Sequence, residues 1–181
     1  MKYLVVIVAL VLFSVNVLAQ KKNTIVFNSY NAIGFVAGKS PVALVAQTEN
    51  GIKIKSWFIG AGIGIDNYYK KTIPLFGAVK KEFVLKSNSL FLYANIGGNI
   101  IAADKEIKKT FSTISTTGGF YLDAGVGYKI KITKGSSIFF TLGNSLKNMK
   151  ETETSTDSGF PYYYTTKRNL SRIAVKAGFQ F

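Results

Sequence analysis

The chain has no cysteine and no histidine, and its 9 acidic residues face 23 basic ones. Without cysteine it has no disulfide framework, no thiolate metal site and no lipid-modified N-terminal cysteine. Without histidine it lacks the usual general base, the commonest imidazole ligand and every catalytic triad built on that ring. A lipid hydrolase or acyltransferase embedded in a membrane is disfavoured on the same ground, because no spacing marks a serine or threonine with a lysine base. What the 181 residues do hold is 48% hydrophobic and 14% aromatic side chains, with a formal net charge of +14. Such a chain is too apolar to be a disordered tail and too short for more than one sizeable domain.

Long apolar runs are scarce as well, with one exception at the start. Lys2 precedes an unbroken apolar stretch, Leu4 to Phe13, and Val17-Leu18-Ala19 offers small residues before Gln20. This is the layout of a cleaved secretory signal peptide over residues 1–19, with an apolar core too short for a transmembrane helix. Removing it leaves 181 − 19 = 162 residues, a single domain over 20–181, and a charge lowered from +14 to +13 by the loss of Lys2. No later segment approaches eighteen consecutive apolar residues, so a helical membrane protein is excluded.

The rest of the chain carries a period of two. In Trp57 to Asp66, Trp57, Ile59, Ala61, Ile63 and Ile65 alternate with Phe58, Gly60, Gly62, Gly64 and Asp66. A helix would spread these classes around its circumference, whereas a strand separates them onto two faces. Phe120 to Ile132 and Ile173 to Phe181 repeat the alternation, and weaker versions run over Asn23 to Gly38, Val42 to Ile54, Ile73 to Phe83, Leu90 to Ile101 and Ser137 to Asn148. Lys81 alone breaks the apolar face of its segment. The Gly60, Gly62 and Gly64 spacing does not match a dinucleotide loop, because the residues after it read as strand.

Eight strands result, and their connections alternate in length. Lys55-Ser56, Lys86 to Ser89 and Thr133 to Ser136 are short; Lys39 to Pro41, Asn67 to Thr72, Ala103 to Thr117 and Met149 to Thr166 interleave with them, the last two long and polar. Short turns on one rim and long loops on the other predict an all-β, eight-stranded antiparallel up-and-down transmembrane β-barrel. Closure is required there, because an open edge in lipid leaves backbone groups unpaired.

The polar face suits a narrow interior. Eight strands enclose a lumen that side chains just fill, so the glycines leave room for Phe58, Phe76, Tyr93 and Tyr121. That face also collects Glu49, Asp66, Glu82 and Asp123 with Lys53, Lys80, Lys129, Lys131, Arg172 and Lys176. Both signs in one interior predict a paired network, since an isolated buried charge costs several kcal/mol. Trp57, Phe83, Tyr128 and Phe181 fall at the short-turn ends and predict an aromatic girdle.

The loop rim gathers Lys70, Lys71, Lys105, Lys108, Lys109, Lys147, Lys150, Lys167 and Arg168. Such a ring suits a leaflet of phosphorylated lipid such as lipopolysaccharide, and the export signal argues against nucleic acid as the partner. Asp104, Glu106, Glu151, Glu153 and Asp157 lie in the same loops without the glycine-turned spacing of a calcium loop, which favours a solvated acidic surface and no cofactor. Phe160, Tyr162, Tyr163 and Tyr164 flank Pro161 as an aromatic cluster that is either a recognition surface or an upper girdle.

The stretch WFIGAGIGIDNYYKKTIPLF at Trp57 to Phe76 resembles the Gly-x-Gly-x-Gly-x-Asp-x-Tyr segment followed by Ile-Pro-Leu-Phe in the small, porin-like outer-membrane β-barrel domain family. Asn50-Gly51, GGFYLDAGVGYKI at Gly118 to Ile130 and the terminal GFQF extend the resemblance over essentially the whole mature chain. That family often has an arginine where this chain has Lys80. The resemblance implies location and architecture more than activity. It also implies that Phe179 and Phe181 form the C-terminal aromatic signal read by the barrel-assembly machinery.

The expected protein is therefore a non-enzymatic barrel in the outer membrane of a Gram-negative-type envelope. Its role is structural or directed at an extracellular partner through its two long loops. A narrow pore for ions or small solutes and lipocalin-like binding of an apolar ligand are the alternatives.

Overall fold

The computed structural model describes residues 25–38, 41–67, 70–102, 107–109, 112–133, 135–155 and 162–181. The expected signal peptide and Phe160 lie outside them. The described residues form nine strands, β1 Ile25–Ala37, β2 Ala43–Ile54, β3 Trp57–Asn67, β4 Lys71–Leu85, β5 Asn88–Ile101, β6 Ile107–Lys109, β7 Ser112–Lys131, β8 Ser137–Ser155 and β9 Tyr162–Gln180. All pairings are antiparallel. β6 is a three-residue strand folded back on β7, while β5 pairs directly with β7 and β1 with β9, so eight strands close a ring.

The faces are reversed relative to a soluble barrel. Ile33, Phe35, Leu44, Ile59, Leu92 and Leu142 point outward and are exposed, whereas Tyr30, Phe58, Phe76, Phe91, Tyr93, Tyr121 and Phe139 point inward and pack on one another. Inward rings are fitted against inward glycines across the ladder. Phe91 faces Gly127, and a Cβ at Gly127 would stand 2.2 Å from the Phe91 ring; Phe76 stands likewise against Gly62, 2.4 Å from a Cβ there. A narrow barrel admits a large side chain only where its neighbour has none.

On one rim the strands are joined tightly. Ile54 pairs with Trp57 and Leu85 with Asn88, leaving the two-residue turns Lys55–Ser56 and Lys86–Ser87. Lys55 and Lys86 hold left-handed φ values of 56° and 52°, where a Cβ is crowded by its own backbone.

On the other rim the expected long loops turn out to be mostly strand. β1 meets β9 no higher than Ala37 with Ile173, and β5 meets β7 no higher than Gly98 with Phe120. β7, β8 and β9 nevertheless stay paired up to Ser112 with Ser155 and Ser155 with Tyr162. A leaf built from Ser112–Gly119, Met149–Ser155 and Tyr162–Leu170 thus stands above the ring. Its sequence alternates no apolar residues because β9 there is exposed on both faces, and the period of two reports unequal faces rather than the strand itself.

A bulge between Gly118 and Tyr121 marks where wall becomes leaf. Asn99, buried at the top of β5, clamps it. Its Nδ2 donates to the carbonyls of Gly119 at 3.1 Å, Phe120 at 3.2 Å and Asn148 at 3.3 Å, and its Oδ1 accepts from Gly119 N at 3.4 Å. The backbone groups that the bulge takes out of the ladder are satisfied by this one amide.

Candidate functional site

Four inward carboxylates mark levels of the lumen. Nearest the turn rim, Glu82 is engaged by Lys53 and Lys129 and accepts from Tyr30 Oη at 2.9 Å. Above it, Glu49 Oε1 accepts from Gln47 Nε2 at 2.8 Å and from Asn95 Nδ2 at 2.9 Å. Lys80 Nζ stands 2.6 Å from Glu49 Oε2 in an ion pair whose angles fall short of a hydrogen bond. Asp123 pairs with Lys176 and accepts from Tyr93 Oη at 3.1 Å. Nearest the loops, Asp66 pairs with Lys147 and accepts from Thr72 Oγ1 at 2.6 Å.

Rings surround the ammonium groups. Lys80 Nζ lies 4.7 Å from the Tyr30 ring centroid, 5.4 Å from Tyr93, 5.7 Å from Phe91 and 5.9 Å from Phe58. Lys176 stands 5.0 Å from Tyr93, and Lys147 stands 5.2 Å from Tyr121. Each cation has a carboxylate on one side and the negative face of a ring on another, so charges removed from water keep compensating partners. The arrangement packs the interior with rings and paired charges.

Two residues differ from the sequence expectation. Lys131 has the inward register but occupies the last rung, opposite Ser137, where it is exposed at the turn-side mouth, outside the ion-pair network. Lys147, expected on the outer rim, is instead fully buried against Asp66 and Thr72. It continues the inward series Phe139, Thr141, Gly143, Ser145 on β8, and Met149, expected to begin a loop, is buried one step further. Extending that alternation by two rungs was the available signal. Arg172 is buried and donates to the Pro41 carbonyl at 3.0 Å.

Trp57, Phe83, Tyr128 and Phe181 are exposed on the outer face at the turn ends. Lys81, the break in the apolar face, lies 4.6 Å over the Trp57 ring and donates to Ser56 Oγ at 2.8 Å. Phe179 and Phe181 both point outward with ring centroids 6.1 Å apart, and the Phe181 backbone exchanges hydrogen bonds with Ser29. At the other end Tyr162, Tyr163 and Tyr164 are all exposed, so the cluster presents rings on both faces of the leaf. Glu151 pairs with Arg168 across the leaf, and no group of acidic residues able to hold a metal occurs among the described residues; Asp104, Glu106 and Asp157 lie outside them.

The fold and its contents define a closed antiparallel barrel of eight strands, apolar outside and packed with ion pairs and rings inside. It is similar to the crystal structure of Neisserial surface protein A (NspA), with a TM-score of 0.54 and 11% sequence identity over 88% of this chain and 98% of that one. No protein-family model and no curated protein matches the sequence.

Proposed function

We propose that the chain is a non-enzymatic β-barrel of an outer membrane, sealed by its own side chains, that serves as a structural or surface-interaction protein through its projecting leaf. The observation that carries this is the reversal of faces. An exterior of exposed Ile, Leu, Val and Phe, bordered at the turn end by Trp57, Phe83, Tyr128 and Phe181, is stable only where the surroundings are as apolar as the side chains. A lipocalin-like carrier needs the opposite distribution. A pore needs an aqueous path where Lys80 stands among Tyr30, Phe58, Phe91 and Tyr93.

The partners follow from position. Lys70, Lys71, Lys150, Lys167 and Arg168 lie toward the leaf end and suit the phosphates of lipopolysaccharide. Phe179 and Phe181 suit recognition by the barrel-assembly machinery, and Tyr162 to Tyr164 suit contact with an extracellular partner. Export after removal of residues 1–19 completes the proposal.

The experiment is planar-bilayer conductance of the refolded chain over 20–181, together with heat-modifiable gel migration and outer-membrane fractionation. Heat-modifiable migration, recovery with outer membranes and no discrete conductance steps are expected. Discrete, salt-dependent steps would overturn the sealed lumen, and recovery in the soluble fraction would overturn the location.

A further inference from the structure

The turn-side mouth carries charge that neither the wall nor the leaf uses. A cavity of about 980 Å3 opens there, lined by five lysines, Lys53, Lys55, Lys86, Lys129 and Lys131. No Asp or Glu is among its lining residues, and Glu82, at the lumen level next to the turn rim, is already engaged by Lys53 and Lys129. Glu49, Asp66 and Asp123 are each taken by a different lysine further up the lumen, while Glu151 and Glu153 stand on the leaf. Among the described residues, Lys55, Lys86 and Lys131 therefore have no acidic partner.

Their positions are set by the backbone. Lys55 and Lys86 occupy the left-handed corners of the β2–β3 and β4–β5 turns, and Lys131 ends β7, so the three approach the mouth from separate points on the ring. A concave opening lined by charge of one sign focuses its field inward, and ammonium groups bind phosphate oxygens through charge-assisted hydrogen bonds. The volume falls near the upper end of small-molecule sites, roughly 300–1,000 Å3, and is far too large for one monatomic ion. Further polar groups line it, including the Asn28–Gln180 amide pair, joined at 2.9 Å, and Ser89.

We propose that this mouth binds an oligophosphate-type anion, one carrying two or more phosphate charges, held by Lys55, Lys86 and Lys131 on the turn side of the Glu82 ion cluster. Two sources offer that chemistry, a free oligophosphate and clustered phospholipid headgroups of the adjoining leaflet, and exposed Val26 and Val84 at the lip are compatible with either. The site is independent of what the leaf contacts.

The test is calorimetric titration of sodium tripolyphosphate into the refolded protein in nanodiscs of zwitterionic lipid. Single-site binding that weakens steeply with added salt is expected. The triple variant Lys55→Gln, Lys86→Gln, Lys131→Gln should bind at least tenfold more weakly than the parent. Because all three mouth lysines are exposed, the heat-modifiable shift should persist in that variant and exclude misfolding as the cause. If adding phosphatidylglycerol to the disc suppresses tripolyphosphate binding, headgroups are the source; if binding is unaffected, the ligand is free. Equal affinity in parent and mouth variant, or no saturable binding in the parent, would overturn the proposal.

Discussion

The barrel wall and the leaf are continuous strands of one sheet, yet they obey different rules. In the wall, each strand separates an exposed apolar face from an inward face of rings, glycines and paired charges. In the leaf, β7, β8 and β9 keep their ladder mostly with Ser, Thr, Lys and Glu, and burial is confined to its base, at Thr116 and Met149. Backbone pairing with little side-chain burial thus carries the sheet into the leaf, while side-chain contacts across an enclosed space decide where it becomes costly to disturb. Asn99 stands at the frontier, holding the bulge where one regime gives way to the other.

The largest expected difference between the two is electrostatic. Asp66→Ala leaves fully buried Lys147 without its carboxylate and should destabilise the wall by about 3–5 kcal/mol. Glu151→Gln, which breaks the partly exposed pair with Arg168 in the leaf, should cost less than about 1 kcal/mol. Urea titration of refolding into lipid vesicles, followed by gel migration, measures both. Equal costs would erase the distinction between wall and leaf.

Packing sets the next effect. Gly127→Ala drives a methyl into the Phe91 ring and should cost about 1–3 kcal/mol, whereas Gly135→Ala, with nothing within 4 Å of the added carbon, should be neutral. Combining Gly127→Ala with Phe91→Leu tests the cause. If the ring is the obstacle, the double variant is more stable than the sum of the two single changes predicts.

Asn99→Ala acts at the frontier itself. Loss of the clamp leaves bulge carbonyls unsatisfied and should cost about 1–2 kcal/mol, with faster amide exchange in the leaf around Gly119 than in β3. Uniform acceleration throughout the barrel would mean that Asn99 supports the wall and not the joint. The smallest effect belongs to the turn rim. Lys55→Gly removes the crowding of a left-handed Cβ but adds chain entropy, so a net gain of under about 1 kcal/mol is expected in the same urea titration.

The wall was legible in the sequence because its two faces meet different surroundings. Trp57 to Asp66 and Phe120 to Ile132 announce strand, facing and register together, and the positions of Glu49, Glu82, Asp123 and Lys176 follow from that parity. The leaf was not legible, because residues such as Thr152, Lys167 and Tyr163 write no alternation when water or a partner reaches both sides. Lys147 escaped for another reason. Its parity continues that of Phe139, Thr141 and Ser145, but the counterion that makes its burial tolerable, Asp66, lies 81 positions away along the chain. Lys131 shows the converse, since its parity is inward but it stands on the last rung, at the open mouth, where parity no longer means burial.

The seam between β1 and β9 joins the two ends of the ring over a shorter span than β8 shares with β9. β9 also brings Lys176 to Asp123 and Arg172 to the Pro41 carbonyl. A chain lacking that strand would have two raw edges, an interior open from the side and an acid deprived of its counterion. Docking the last strand hides the edges, shuts the interior and supplies Asp123 with its counterion in a single event, so partly assembled forms have little to stabilise them and the finished cylinder has no gradual way to come apart.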